Sequence, residues 1–196
     1  KIDSKLKGKF DKISLRIQTE VARLGDLMND VLLLGKLNAN VLIADIQLGN
    51  ILQDSKEVVD RINSIQPDER NAKIYIEGIE KNISYDKKLF AHALSNLIDN
   101  AFKYSRNKPA PQIKIAFKES LQISVIDFGR GIPDNEINKL FQPFFRSNSA
   151  QDIEGTGLGL VICKRYIELQ KGSLKVESVV NKKTTFTISL PITSNE

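Results

Sequence analysis

Between Phe10 and Leu37 the apolar side chains Phe10, Ile13, Ile17, Val21, Leu24, Met28, Val31 and Leu34 recur at steps of three and four. That spacing predicts a helix with one continuous apolar stripe, which Leu27, Leu32, Leu33 and Leu37 widen. Such a helix must pack on something, either as a surface helix on the rest of the chain or as one arm of a helical bundle. Asn38-Ala39-Asn40 breaks it, and Ile43 to Leu48 suggests a short strand. An amphipathic helix is predicted from Asn50 to Ile65 on Ile51, Leu52, Val58, Val59 and Ile62, and the polar run from Gln66 to Asn71 reads as a loop. Alternation at Lys73 to Ile76 predicts a strand, and the next helix runs from Asp86 to Tyr104. Two alternating strands, Gln112 to Phe117 and Leu121 to Asp127, follow the proline pair Pro109 and Pro111. A short helical stretch at Asn135 to Leu140, a helix over 155–170, and strands at Ser173 to Val179 and Thr184 to Leu190 complete the pattern.

Strands and helices mix without strict βαβ alternation. This predicts an α+β fold, a two-layer α/β sandwich with a mixed sheet packed on helices, preceded by the long helix. The organisation reads as two parts, 1–40 and 41–196. Charged residues make up 27% and hydrophobic ones 41% of the 196, as in a globular protein with a substantial core. No run approaches the ~20 apolar residues that cross a bilayer, and residues 1–12 are polar and lysine-rich, without the apolar segment of a signal peptide. The single Cys163 excludes a disulfide framework and agrees with a reducing cytoplasm. Flanked by Val161, Ile162 and Tyr166, it reads as a buried structural thiol.

The net charge is +5, and the surplus lies entirely in residues 71–196; residues 1–70 carry 11 cations and 11 anions. The cations are scattered among acids, with no basic stripe and no interleaved aromatics, which argues against nucleic acid. An anionic small ligand accounts for the bias equally well.

Chemistry concentrates in four segments. On the helix from Asp86 to Tyr104, His92, Asn96, Asn100 and Lys103 share one polar stripe opposite a wide apolar face. Amide oxygens there suit Mg²⁺ and the ammonium suits phosphates, although the stripe taken alone also fits a solvated helix face. Asp127 ends an apolar strand and enters Phe128-Gly129-Arg130-Gly131, where glycines permit close backbone approach and positive φ. A tight turn capped by an aspartate is the plainer reading. Some twenty residues between Pro133 and Gly155 hold little predicted structure, and loops of that length are usually functional or disordered. They carry Phe141, Phe144, Phe145 and Arg146; Phe141 and Phe144 also suit a role as core plugs, and the planar fork of Arg146 suits a phosphate oxygen. Finally Gly155-Thr156-Gly157-Leu158-Gly159-Leu160 opens a helix, where exposed backbone N–H groups bind phosphate. Its spacing is not that of a dinucleotide fold, and no Walker A sequence occurs. Asp-Phe-Gly also occurs in eukaryotic-type protein kinases, but their Val-Ala-Ile-Lys and His-Arg-Asp sequences are absent.

These four segments, in this order, resemble the N, G1, F and G2 boxes of sensor histidine kinases, and the resemblance extends over about residues 10–192. It implies a nucleotide-binding sandwich of the gyrase and heat-shock-chaperone type, with ATP and Mg²⁺ as cofactors. By resemblance Asn100 is the Mg²⁺ ligand, Asn96 orders the phosphate end, Lys103 reaches the phosphates and Tyr104 flanks the nucleotide. Asp127 accepts from the adenine amino group, with Gly129, Gly131 and Ile132 around it. Arg146 lies in the lid, and Gly155, Thr156, Gly157, Leu158 and Gly159 face the triphosphate. Asn96, Lys103 and Arg146 are then the catalytic set.

The segment from Arg16 to Leu37 is similar to the second helix of that family's dimerisation bundle. The first helix, which carries the phosphoacceptor histidine, is not in this chain, so a fragment beginning just before the turn between the two helices is expected. The implied partners are a second copy through the N-terminal helix and a response-regulator receiver domain, with membrane attachment only through segments upstream. His92, the single histidine, lies inside the nucleotide-binding helix, where the family keeps no acceptor. It reads as a polar neighbour of the site or a plain structural histidine. The chain departs from the family pattern at Gln170-Lys171-Gly172, where His-Gly-Gly is usual, and at Asn181 to Thr184, where a glycine-bearing hairpin is usual. Both are expected to lie away from the nucleotide. Two alternatives stay open: a stand-alone ATPase of the gyrase or mismatch-repair type, and a non-catalytic nucleotide-binding switch. The first places a glutamate general base four residues before the Mg²⁺-binding asparagine, where this chain has Asn96.

Overall fold

The computed structural model describes residues 2–39, 41–67, 69–147, 153 and 155–192. The chain divides into two compact units, Lys1–Val41 and Leu42–Glu196. The first is a single helix, α1 (Ile2–Asn38), which at ~1.5 Å per residue is about 55 Å long. Along it Phe10, Ile13, Ile17, Val21, Leu24, Met28 and Val31 are exposed. No helix among the described residues is long and apolar enough to cross a membrane.

The second unit runs β1 (Gln47–Gly49), α2 (Ile51–Ile65), β2 (Lys73–Glu77), β3 (Ile83–Tyr85), α3 (Lys87–Tyr104), β4 (Gln112–Phe117), β5 (Ser120–Asp127), α4 (Asp134–Ile137), α5 (Gly159–Leu169), β6 (Ser173–Val179) and β7 (Lys183–Pro191). Five strands form a mixed sheet in the order β2-β4-β5-β7-β6, with β2 parallel to β4 and the other pairs antiparallel. Period-two alternation turns Ile113 and Ile115 of β4, Leu121, Ile123 and Val125 of β5, and Phe186, Ile188 and Leu190 of β7 into one core. Register aligns Ile115 with Ile123 and Ile123 with Ile188, so one apolar layer crosses three strands. The opposite face carries Lys114, Gln122, Ser124 and Thr187.

The second layer is helical. α3 buries Leu89, Phe90, Ala93, Leu94, Leu97, Ile98 and Ala101 and packs against α2, α5 and β5. This is the two-layer sandwich that the pattern of strands and helices predicts. Asp86 caps α3, accepting from the backbone N–H groups of Lys88 and Leu89 at 2.9 and 3.0 Å. Beside it the buried Tyr85 hydroxyl donates to Asp54, and Lys87 bridges Asp54 at 2.8 Å, tying α2 to the start of α3. Burial, followed by the bond to Asp54, pushes the Tyr85 pKa well above its ordinary range, so the hydroxyl remains a donor.

Three expectations need correction. The strand near Ile43 to Leu48 is shorter and later, Gln47–Gly49, and pairs with β3, a three-residue strand too short to show alternation. The short helix after Pro133 is Asp134–Ile137 rather than Asn135 to Leu140. α5 begins at Gly159, so Gly155 to Leu158 precede the helix instead of forming its first turn.

Candidate nucleotide-binding site

Asn96 and Asn100 sit one turn apart on α3, and the Asn100 amide donates to the Asn96 carbonyl oxygen at 3.0 Å. That bond fixes both amides and leaves the Asn100 carbonyl oxygen as a hard ligand of the kind Mg²⁺ takes. No group of three His, Cys, Asp or Glu side chains is arranged for a metal among the described residues. A single amide oxygen is the kind of donor that would complete the shell of a magnesium ion carried by a ligand's phosphates. α5 enters directly over Asn96: a Cβ on Gly159 would lie 2.5 Å from the Asn96 amide nitrogen. Glycine at 159 thus lets the start of α5 lie on the amide pair. Lys103, exposed one turn further on, shares its helix face with Asp99, whose carboxyl is pushed above its ordinary range by burial and pulled back by Lys103 and Arg61.

Beside the C-terminal end of α3, Asp127 leaves β5 only 5% exposed. Its Oδ1 accepts from the Gly129 N–H at 2.8 Å. Burial pushes its pKa up to about 6, and the Gly129 N–H opposes that shift. A Cβ on Gly129 would lie 2.8 Å from the Tyr104 carbonyl carbon and from Asp127 Oδ1. The end of α3 and the loop after β5 are therefore in contact, and Tyr104, Asp127 and Gly129 share one corner.

The loop is held from behind by the β6–β7 hairpin. Asn181, at φ 58, donates its N–H to the Arg130 carbonyl at 2.8 Å, and the Ile132 N–H donates to Ser178 Oγ at 2.9 Å. The hairpin at Asn181 to Thr184 is thus a neighbour of the Gly129–Gly131 loop, contrary to the expectation that this departure lies apart from it. Gly131 has φ +66, and a Cβ there would come within 2.7 Å of Val180 Cα. Replacing Gly131 with Ala is expected to cost roughly 2–5 kcal/mol in urea unfolding, from a left-handed non-glycine conformation and a clash with backbone that cannot yield. Gln170, the other departure, is buried. It accepts from the Asp86 N–H at 2.8 Å and donates to the Tyr166 carbonyl at 2.9 Å, so it joins the end of α5 to the cap of α3.

The segment between α4 and α5 makes one cross-link at Gly157, where Phe144 donates its N–H to the Gly157 carbonyl at 3.1 Å. Gly157 takes φ +74 and Phe144 φ 63, and a Cβ on Gly157 would stand 2.7 Å from the Phe144 backbone. Phe141 packs on the core, with Lys164 5.1 Å above its ring, whereas Phe144 is 60% exposed and plugs nothing. Arg146 donates to the Ile153 carbonyl, across the segment that carries Ser147. Thr156 Oγ1 accepts from the Leu158 N–H at 3.2 Å, in the turn that leads into α5. Residues 148–152, 154, 193–196, 1, 40 and 68, which include much of the expected lid, lie outside the described residues. Cys163 is fully buried against the Ala93 carbonyl, as a structural thiol should be. His92 stacks edge-on against Tyr166 with ring centroids 5.3 Å apart.

The geometry thus brings Asn96, Asn100 and Gly159 together, places Tyr104, Asp127 and Gly129 at a second corner, and joins Phe144 to Gly157. The ties through Ser178, Asn181 and Gln170 lay outside the sequence reading. The sequence model of the histidine kinase-, DNA gyrase B-, and HSP90-like ATPase family matches residues 85–194, and the chain belongs to that family. Within it, the domain is the ATP-binding domain of the sensor histidine kinase kind. The adaptive-response sensory kinase SasA of Crocosphaera subtropica is 33% identical over 143 residues, covering 70% of this chain and 37% of that protein. The sensor protein SrrB of Staphylococcus aureus is 33% identical over 180 residues, covering 88% of this chain and 30% of that one. The chain thus spans about a third of the length of these curated relatives. Among solved structures, the Acinetobacter baumannii histidine kinase AdeS shares the fold with a TM-score of 0.69 at 23% identity, over 89% of this chain and 81% of that one. Full-length ShkA, solved in complex with AMPPNP, superposes with a TM-score of 0.72 at 22% identity, over 88% of this chain and 36% of that one.

Proposed function

We propose that this chain is the catalytic part of a sensor histidine kinase that transfers the γ-phosphoryl group of Mg²⁺-bound ATP to a histidine on a dimerisation helix. An aspartate of a response-regulator receiver domain then takes the group. The observation that carries the reading is Asn96, which bonds to Asn100 on its own helix and fills the space over Gly159, so that amide ligands and a glycine-rich helix entry converge. In this reading Asp127 receives the adenine amino group, Tyr104, Gly129, Gly131 and Ile132 surround the base, and Asn100 supplies an oxygen to Mg²⁺. Lys103, Arg146 and the backbone from Gly155 to Gly159 neutralise the triphosphate. ATP supplies the phosphoryl group; the protein's work is positioning and charge neutralisation.

The exposed apolar stripe of α1 supports a second copy of the chain as partner, since seven large apolar residues in a row on one helix are not left in water. A cytoplasmic location fits the single buried thiol. Asn96 at the place of a general-base glutamate speaks against a stand-alone ATPase, because an amide cannot take a proton from water. Calorimetric titration with ATP, with and without Mg²⁺, tests the reading: saturable binding that tightens with Mg²⁺ is expected. A folded chain that takes up no ATP would sink it.

A further inference from the structure

The loop between α2 and β2 carries an arginine that the nucleotide reading leaves unused. Arg70 is half-buried, and its guanidinium embraces the C-terminal end of α3. Nη1 donates to the Ser105 carbonyl at 2.7 Å, to Ser105 Oγ at 3.1 Å and to the Lys108 carbonyl at 3.3 Å. Nη2 donates to the Phe102 carbonyl at 3.2 Å, and the guanidinium carbon lies 5.1 Å above the Phe102 ring. Ser105 Oγ in turn donates to the Ala101 carbonyl at 2.7 Å. A helix end exposes carbonyls that lack intrahelical partners, and it carries partial negative charge. Arg70 supplies both donors and charge. Its planar fork also sets direction, because its N–H groups cannot rotate independently as those of an ammonium can.

What this end holds gives the contact its consequence. Lys103 and Tyr104 lie between Phe102 and Ser105, the residues that Arg70 grips. The Tyr104 carbonyl rests on Gly129, whose N–H is bonded to Asp127. A shift of the helix end therefore moves the phosphate-side lysine and the base-side loop together. We infer that Arg70 is a positioning residue for the nucleotide site, locking the end of α3 against the Gly129–Gly131 loop without touching the ligand. This rests on the reading of the site as a nucleotide site.

The test compares the chain with Arg70→Met and Arg70→Lys, well below the melting temperature of each. Mg-ATP binding is measured by calorimetry, and amide hydrogen exchange is followed at Tyr104, Ser105, Gly129 and Ile132. Arg70→Met is expected to weaken Mg-ATP roughly tenfold, the order of one charged hydrogen bond. Exchange should speed up at both the helix end and the Gly129–Gly131 loop while amides of the central strands β5 and β7 hold their protection. Arg70→Lys keeps the charge without the fork and is expected to lose about threefold. A lowered melting temperature with unchanged Mg-ATP affinity would make Arg70 a structural clamp only and overturn the inference. Should Arg70→Met fail to fold, unaltered affinity in Arg70→Lys overturns it equally. If the unaltered chain itself binds no ATP, the nucleotide reading has failed; exchange at Gly129 and Ile132 then decides the clamp, and no acceleration there refutes it.

Discussion

Asp127→Asn is expected to abolish useful ATP binding and at the same time make the protein more stable at neutral pH. The carboxyl is 5% exposed, and burial lifts its pKa from 3.8 to about 6. A folded-state pKa above the unfolded value means that the folded chain holds the proton more tightly. Asp127 therefore favours folding most below pH 3.8; that advantage falls as pH rises from 3.8 to about 6 and stays low above it. At pH 7.5 the buried charge costs up to about 3 kcal/mol, from roughly 1.36 kcal/mol per pKa unit. Asparagine carries no such charge, and its carbonyl can still accept from Gly129, so a melting temperature several degrees higher is expected, at about 2–4 °C per kcal/mol. Losing a buried charged acceptor from a ligand contact costs about 2 kcal/mol or more, at least 30-fold in affinity. Affinity of the unaltered chain should likewise fall as pH drops through about 6, where Asp127 gains its proton. Thermal melts at pH 5 and 7.5 alongside ATP titrations check all three. If Asp127→Asn binds ATP as well as the parent chain, the adenine is not at Asp127.

The opposed effects of that one substitution mirror what a linear sequence can and cannot carry. Elements whose residues meet the core at regular intervals were legible: β4, β5 and β7 alternate through Ile113, Ile123 and Ile188, and α3 shows its apolar face at steps of three and four. The amide pair Asn96 and Asn100 was legible for the same reason, since helical period alone puts them one turn apart. β3 was not, because three residues hold no period, and it exists only as the partner of β1. Nor was the start of α5, where the backbone at Gly157 is fixed by Phe144 thirteen residues earlier. The roles of Ser178, Asn181, Gln170 and Arg70 were not legible, because each acts on backbone groups far along the chain: Asn181 (through its own N–H) and Arg70 on carbonyls, Ser178 and Gln170 as acceptors for N–H groups. A backbone N–H, or any polar side chain with the right reach, could serve there, so no residue type announces the role.

Incubated with Mg-ATP, this chain alone is expected to accumulate no acid-labile phosphate, whereas a separate dimerisation helix bearing a histidine accumulates it when added. His92 is the one histidine present. Eight residues separate it from Asn100 and eleven from Lys103, which at 1.5 Å per residue puts it about 12 and 16 Å along α3 from the groups assigned to Mg²⁺ and phosphate. Phosphoryl transfer needs attacking and leaving oxygen or nitrogen in line, at near-contact distance, and although Asn96 lies one turn from His92, a ring packed edge-on against Tyr166 is committed elsewhere. An acceptor delivered from outside can meet that requirement. His92→Gln should therefore leave transfer to the added helix unchanged. Asn100→Ala, which strips away the Mg²⁺ ligand, should reduce it by about 100-fold or more. Labelled γ-phosphate, scored as stable in base and released by acid, reads both reactions. Acid-labile label on the chain itself that disappears in His92→Gln would place the acceptor within this domain. Bound ATP with no label on either polypeptide would leave nucleotide binding as the domain's only act, and the chain would be a switch instead of a kinase.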